Sequence, residues 1–143
     1  MAFDGITVSA LTKELSERLI GSRIYKIQQP ESDELIITFK TKSGQYKLLV
    51  SVDPTLPLVY ITNDNKPSPM NAPNFCMLLR KHILNGRIVS ITQPSLERII
   101  RMEIEHMDEM GDVFKLIFEF FPHTLVFRKD YSAVKVSFVK FLW

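Results

Sequence analysis

The chain has one cysteine, Cys76, so an intramolecular disulfide and any metal site built on several thiolates are excluded. A lone thiol also fits a reducing compartment. The five glycines stand singly, and none belongs to a glycine-rich loop that cradles phosphate. No apolar run approaches the ~20 residues that span a bilayer. The opening MAFDGITVS has neither a basic n-region nor an apolar h-region, so no signal peptide is expected. His82, His106 and His123 do not fall at metal-ligand spacings with one another or with Cys76. No Ser/His/Asp arrangement announces a hydrolase. These absences lead to an expectation of no enzyme activity, no catalytic residues, no metal, no cofactor and no membrane partner. The net charge of +2 is too small to argue a nucleic-acid partner by itself.

What is present is an ordinary globular composition. The 143 residues fit one domain, since domains commonly run ~100–150 residues. Hydrophobic residues are 45% and charged residues 24% of the chain, both near globular averages, which argues against disorder. The charges are unevenly spread. Arg80 to Arg101 is basic, and Glu103 to Glu119 is acidic with Lys115 as its lone cation. That pattern gives either a two-signed surface or an internally paired one.

The periodicity divides the chain into elements. Val8, Leu11, Leu15 and Leu19 recur at spacings of three and four, which predicts an amphipathic helix over Val8–Ile20. Asp4 or Thr7 can cap it, and Gly21 stops it. The period then becomes two. Strands are expected at Arg23–Gln28, ended by Gln29-Pro30, then at Glu34–Lys40, Tyr46–Val52 and Leu58–Thr62. Their short connections predict an antiparallel meander. Asn63 to Ala72 reads as a loop, either a plain connector or a segment beside a binding surface. A second helix follows over Pro73–Leu84, closed by Asn85-Gly86. Its apolar face holds Phe75, Leu78, Leu79 and Ile83, with Cys76 at the edge and His82 amid it. Both Cys76 and His82 read as packing residues. Further strands are expected at Arg87–Gln93, Arg98–Met107, Val113–Phe121, Leu125–Arg128 and Val134–Leu142, with a hairpin signal at Met110-Gly111-Asp112.

The stretch Pro73–Arg101 carries the distinctive chemistry. Arg80 and Lys81 are expected on the exposed helix face, Arg87 at the start of one strand, and Arg98 and Arg101 on the next. If those strands pair, four or five cations gather along one sheet edge. The guanidinium fork suits phosphate, and such contacts position RNA without reading its sequence. The same charges also fit a solvated face with local ion pairs. Glu97 within this group is either an arginine's partner or an acceptor for a ligand's donor, such as a ribose hydroxyl, a base amine or an α-ammonium group.

The chain strongly resembles the N-terminal domain of the NFACT family. The matching pieces are FDGITVSALTKEL, GSRIYKIQQPESDELIITFK, YKLLVSVDPTLPLVYIT, NFCMLLRKHILNGRIVSI and LERIIRMEIE. Members are described as ribosome-quality-control factors of the RqcH type or as fibronectin-binding protein A-like. The resemblance implies an α+β, antiparallel β-rich and sandwich-like domain. It would have an N-terminal helix and a second helix before the later strands, similar to the N-terminal domain of formamidopyrimidine-DNA glycosylases. Those enzymes need a proline after the initiator methionine. Ala2 stands there in this chain, so glycosylase activity is not expected.

The resemblance also implies a cytoplasmic module. It would bind tRNA, in bacteria alanyl-tRNA, and the large ribosomal subunit holding peptidyl-tRNA, so that an alanine tail is added to the stalled chain. The family's Asp-Arg pair, linked to tRNA engagement, matches Glu97 and Arg98 here, with one extra methylene in the acid. Arg80, Lys81, Arg87 and Arg101 are the further RNA or ribosome contacts expected. The alternative is a surface adhesin that binds fibronectin. The resemblance covers 1–120 as the family-like domain and leaves 121–143 as divergent C-terminal strands. Family members are longer, with helical, coiled-coil and further RNA-binding domains, so the chain reads as a truncated form.

Overall fold

The structure, a computed structural model, describes residues 4–31, 34–51, 58–63, 66–67, 69–107, 113–121, 124–131 and 134–140. Among these it has two helices and nine strands. Helix α1 is Gly5–Leu19 and helix α2 is Asn74–Ile83. The strands are β1 (Arg23–Glu31), β2 (Glu34–Thr41), β3 (Gly44–Ser51), β4 (Leu58–Thr62), β5 (Arg87–Thr92), β6 (Ile100–Met107), β7 (Val113–Phe121), β8 (Thr124–Tyr131) and β9 (Val134–Lys140). They form one antiparallel sheet in the order β4-β3-β2-β1-β5-β6-β7-β8-β9. The architecture is therefore α+β. Where a sandwich-like arrangement is expected, the strands form a single hydrogen-bonded sheet, because neighbours pair within β1–β4 and within β5–β9 and β1 joins β5. The hairpin at Met110-Gly111-Asp112 and the end of the strand expected at Tyr46–Val52 lie outside the described residues.

Helix α1 begins three residues earlier than its apolar stripe suggests. Asp4 is the N-cap, and its carboxylate accepts from the Thr7 amide at 2.8 Å. That bond satisfies one of the orphan donors of the first turn and holds the Asp4 carboxyl below its usual range. Val8, Thr12, Leu15 and Leu19 are its buried residues. Val8, Leu15 and Leu19 share one core with Phe75, Leu79 and Ile83 of α2, Leu35, Ile37 and Phe39 of β2, Leu48 and Val50 of β3, and Ile88, Ile91, Ile100, Met102 and Ile104 of β5 and β6. Both helices thus cover the same face of the sheet. Gly21, at φ +86°, turns the chain from α1 into β1, in the left-handed region where a Cβ costs ~1–2 kcal/mol.

The seam between β1 and β5 is narrow. Their register pair is Arg23↔Arg87, flanked by bonds from the Ile24 amide to the Gly86 carbonyl and from the Ile88 amide to the Ser22 carbonyl, each 2.9 Å. Beyond this point β1 leaves β5, and α2 takes over. The Arg80 Nε donates to the Ile27 carbonyl at 2.9 Å. The Cys76 thiol sits 3.6 Å from the same oxygen. This open side also explains why β1 runs through Pro30 to Glu31 rather than ending at Gln29-Pro30. The register with β2 shifts between Gln28 and Glu31, so the proline breaks no regular ladder.

Candidate functional site

The loop 93–99 joins β5 to β6 and carries Glu97 and Arg98. The sequence reading opens a strand at Arg98, but the ladder begins at Ile100, and its last β5 pair is Thr92↔Arg101. Pro94 lacks the N–H that would extend the pairing. Ser95 adopts φ +50°, and the Glu97 amide donates to the Pro94 carbonyl at 3.1 Å, closing a turn.

The loop is anchored to the start of α1. The Gln93 side-chain amide donates to the Gly5 carbonyl at 2.9 Å and to the Glu97 carbonyl at 2.8 Å. Gly5 itself lies against the Leu96 backbone, and a Cβ there would meet the Leu96 carbonyl oxygen at 2.0 Å. The Ser16 hydroxyl of α1 adds a 2.9 Å bond to the Ile91 carbonyl of β5, two residues before Gln93. Both charged side chains point to solvent. Among the described residues neither the Glu97 carboxylate nor the Arg98 guanidinium forms an ion pair. Beside them, Ile6 and Leu96 are 78% and 69% exposed. The arrangement is a fixed loop with a free acid, a free guanidinium and a small apolar shoulder. It can accept from a hydroxyl or ammonium and donate to a phosphate.

The remaining cations do not gather on one sheet edge. β5 and β6 lie inside the sheet, and their ends point opposite ways. Arg87 is opposite Glu105 and pairs with it at 3.2 Å. Arg101 is opposite Thr92, five residues along, which is roughly 17 Å of strand. Arg98 and Arg101 therefore share one end, while Arg87 shares the other with Arg23. Arg80 is not on an exposed face: it is half-buried and holds the Ile27 carbonyl. Lys81 is exposed. Cys76 is buried as expected, and burial pushes its thiol up, against a smaller opposing pull from Arg80. His82 is half-buried.

The sequence reading missed Gly5 and Gln93, which position the loop. The available signal was a glycine immediately after a capping aspartate, where a helix former is the ordinary choice. Among the described residues no helix is long and apolar enough to cross a membrane.

Residues 4–126 match the family model described as NFACT N-terminal and middle domains. The chain is similar to the Rqc2 homolog RqcH of Bacillus subtilis, 42% identical over 112 residues, covering 78% of this chain and 20% of that protein. It is also similar to the Rqc2 homolog RqcH of Streptococcus pneumoniae, 31% identical over 139 residues, covering 95% of this chain and 25% of that one. The chain thus spans a fifth to a quarter of these relatives' length. Among solved structures, the N-terminal domain of fibronectin-binding protein PavA from Streptococcus pneumoniae superposes with a TM-score of 0.87 at 26% identity. That match covers 92% of this chain and 51% of the solved N-terminal domain.

Proposed function

The chain belongs to the NFACT family, and from that premise we propose that it is an RNA-binding module of ribosome-associated quality control. In this reading it docks on the large ribosomal subunit that still holds peptidyl-tRNA, in the cytoplasm. It engages alanyl-tRNA there, supporting addition of an alanine tail to the stalled chain. The module supplies binding and orientation, with no catalytic group of its own. One observation carries the reading: the acidic-basic pair Glu97-Arg98 is exposed, with no ion pair among the described residues, on a loop clamped to α1 by Gln93 and Gly5. A pre-set loop loses little freedom when it binds, which is what a recognition element needs. Arg98 would meet a tRNA phosphate and Glu97 a ribose hydroxyl, a base amine or the aminoacyl ammonium. Lys81 and Arg101 are the further contacts this geometry favours. The likeness to the N-terminal domain of formamidopyrimidine-DNA glycosylases stays part of this proposal as a shared scaffold without the shared chemistry.

The test is sedimentation of the chain with large subunits carrying peptidyl-tRNA, with Arg98→Ala and Glu97→Ala beside the wild type. Loss of co-sedimentation in the variants supports the reading. Equal pelleting by all three removes Glu97 and Arg98 from it, and no pelleting of the wild type removes ribosome binding by this module. A second reading has its own observation, the similarity to a solved fibronectin-binding protein. Immobilised fibronectin distinguishes it: saturable binding that survives Arg98→Ala favours an adhesive surface over the RNA module.

A further inference from the structure

The two halves of the sheet, β1–β4 and β5–β9, join at one register pair, Arg23↔Arg87. Ile24, Phe39, Ile88 and Ile104 face the core there. Strand alternation therefore turns their neighbours Arg23, Lys40, Arg87 and Glu105 to the face away from both helices. The register sets these in one row, Lys40, Arg23, Arg87 and Glu105, each directly opposite the next. Three cations thus stand abreast on β2, β1 and β5, roughly 10 Å from first to last. Like charges directly opposite one another destabilise a sheet, and the seam carries two such pairs in succession. A bulge between Ile24 and Lys26 brings Tyr25 to the same face beside the row. The Lys40 ammonium covers one face of its ring, 3.8 Å from the centre, yet half of Tyr25 stays exposed, which leaves room for a second group to pack there.

The partners of these cations do not cancel the row. Arg87 pairs with Glu105 at 3.2 Å, a partly exposed ion pair that holds weakly against water. Arg23 commits Nη1 to the Asn85 carbonyl at 3.3 Å. A guanidinium carries five N–H donors, so both arginines keep donors for an anion set between them. One row along, Glu103 on β6 adds an acid and Lys26 on β1 a cation. Glu31 and Glu34 face each other at the far end of the β1–β2 pair, roughly 26 Å from Arg23 and well beyond the ~8 Å screening length. The excess at the seam therefore stays positive. We propose that this seam binds single-stranded RNA, with one phosphate between Arg23 and Arg87 and a neighbouring base packed on Tyr25. A base held in a duplex cannot reach the ring, so the strand must be unpaired. The bound phosphate also relieves the opposition of the two arginines and ties the halves of the sheet together. The inference rests on the RNA-binding reading above. It adds a second surface, at the opposite end of the β5–β6 ladder from Arg98.

Fluorescence anisotropy of a labelled oligouridylate with the whole chain tests it, measured across a salt series. Arg23→Gln is expected to weaken binding by about tenfold at low salt. It should also lower the slope of log affinity against log salt by ~0.7, the share of one phosphate contact on a single strand. Tyr25→Ala should weaken binding by about fivefold or more with the slope unchanged, since stacking carries no charge. Without RNA, Arg23→Gln should melt no lower than the wild type, because it removes a like-charge opposition, so lost binding would not reflect misfolding. Wild-type affinity and slope in both variants overturn the seam site; if Arg98→Ala still weakens binding, the loop reading survives alone. If the seam variants weaken binding and Arg98→Ala does not, the seam stands and the loop assignment fails. If the wild type binds no RNA, both fail. Equal affinity for a duplex RNA of the same length, or for polyglutamate at equal charge concentration, also overturns the proposal.

Discussion

Replacing Gly5 by Ala should be costly, although alanine is the better helix former by ~1 kcal/mol. The added Cβ would stand 2.0 Å from the Leu96 carbonyl oxygen, and ordinary contact begins near 3.4 Å. The loop must retreat by about 1.4 Å, and backbone rather than a flexible side-chain end must move. The Gln93 bond to the Gly5 carbonyl, at 2.9 Å, bridges the two elements that would part, while its bond to the Glu97 carbonyl lies within the loop. Losing the bridge removes ~1 kcal/mol, and overpacking adds ~1–3 kcal/mol. Set against the helix gain, the net loss is ~1–3 kcal/mol. For a domain of this size that lowers Tm by roughly 3–10 °C. A calorimetric melt of Gly5→Ala measures it, with Ser9→Ala on the exposed side of α1 as the control. The displaced loop should also bind tRNA more weakly. A variant as stable as wild type, with unchanged tRNA affinity, would refute the idea that the close approach of Gly5 to Leu96 positions the loop.

Other outcomes follow from the same geometry. Arg80→Ala should cost ~1.5–3 kcal/mol in a denaturant titration, because the Ile27 carbonyl loses a charged donor at 2.9 Å, while tRNA affinity stays unchanged. Asp4→Asn should keep the helix cap but remove its titration. The native Asp4 carboxyl is depressed, so its contribution is present above the unfolded value near 3.8 and is lost as pH falls through the folded value; melts below pH ~4 should show a flatter dependence in the variant. Asn85→Val should destabilise by ~1 kcal/mol or more by thermal melt, since Asn85 sits at φ +69°, and Asn85→Gly should not. Cys76, buried and with its thiol pushed up, should react with a thiol reagent only as fast as the chain opens.

Periodicity located both helices and all the strands up to their ends, because alternating and 3.6-residue apolar patterns report burial directly. The stripe Val8-Leu11-Leu15-Leu19 and the pattern Leu35-Ile37-Phe39 both face the core or its margin. What stayed hidden depends on which backbone atoms are left unpaired. Arg80 looked like a surface cation until the departure of β1 from β5 exposed the Ile27 carbonyl for it to fill. The cations of Pro73–Arg101 looked clustered in sequence, but antiparallel pairing sends Arg87 and Arg101 to opposite ends of one ladder. Glu97 and Arg98 were singled out through resemblance alone, and their place on a clamped loop came from Pro94, Gln93 and Gly5.

The central claim is that the loop 93–99 presents Arg98 and Glu97 to tRNA. Anisotropy of labelled alanyl-tRNA with the wild type, Arg98→Ala and Arg80→Ala tests it most directly. The account predicts weaker binding and a shallower salt slope for Arg98→Ala alone, with Arg80→Ala binding as the wild type does at a temperature where it is folded. Wild-type affinity and slope in Arg98→Ala would contradict it.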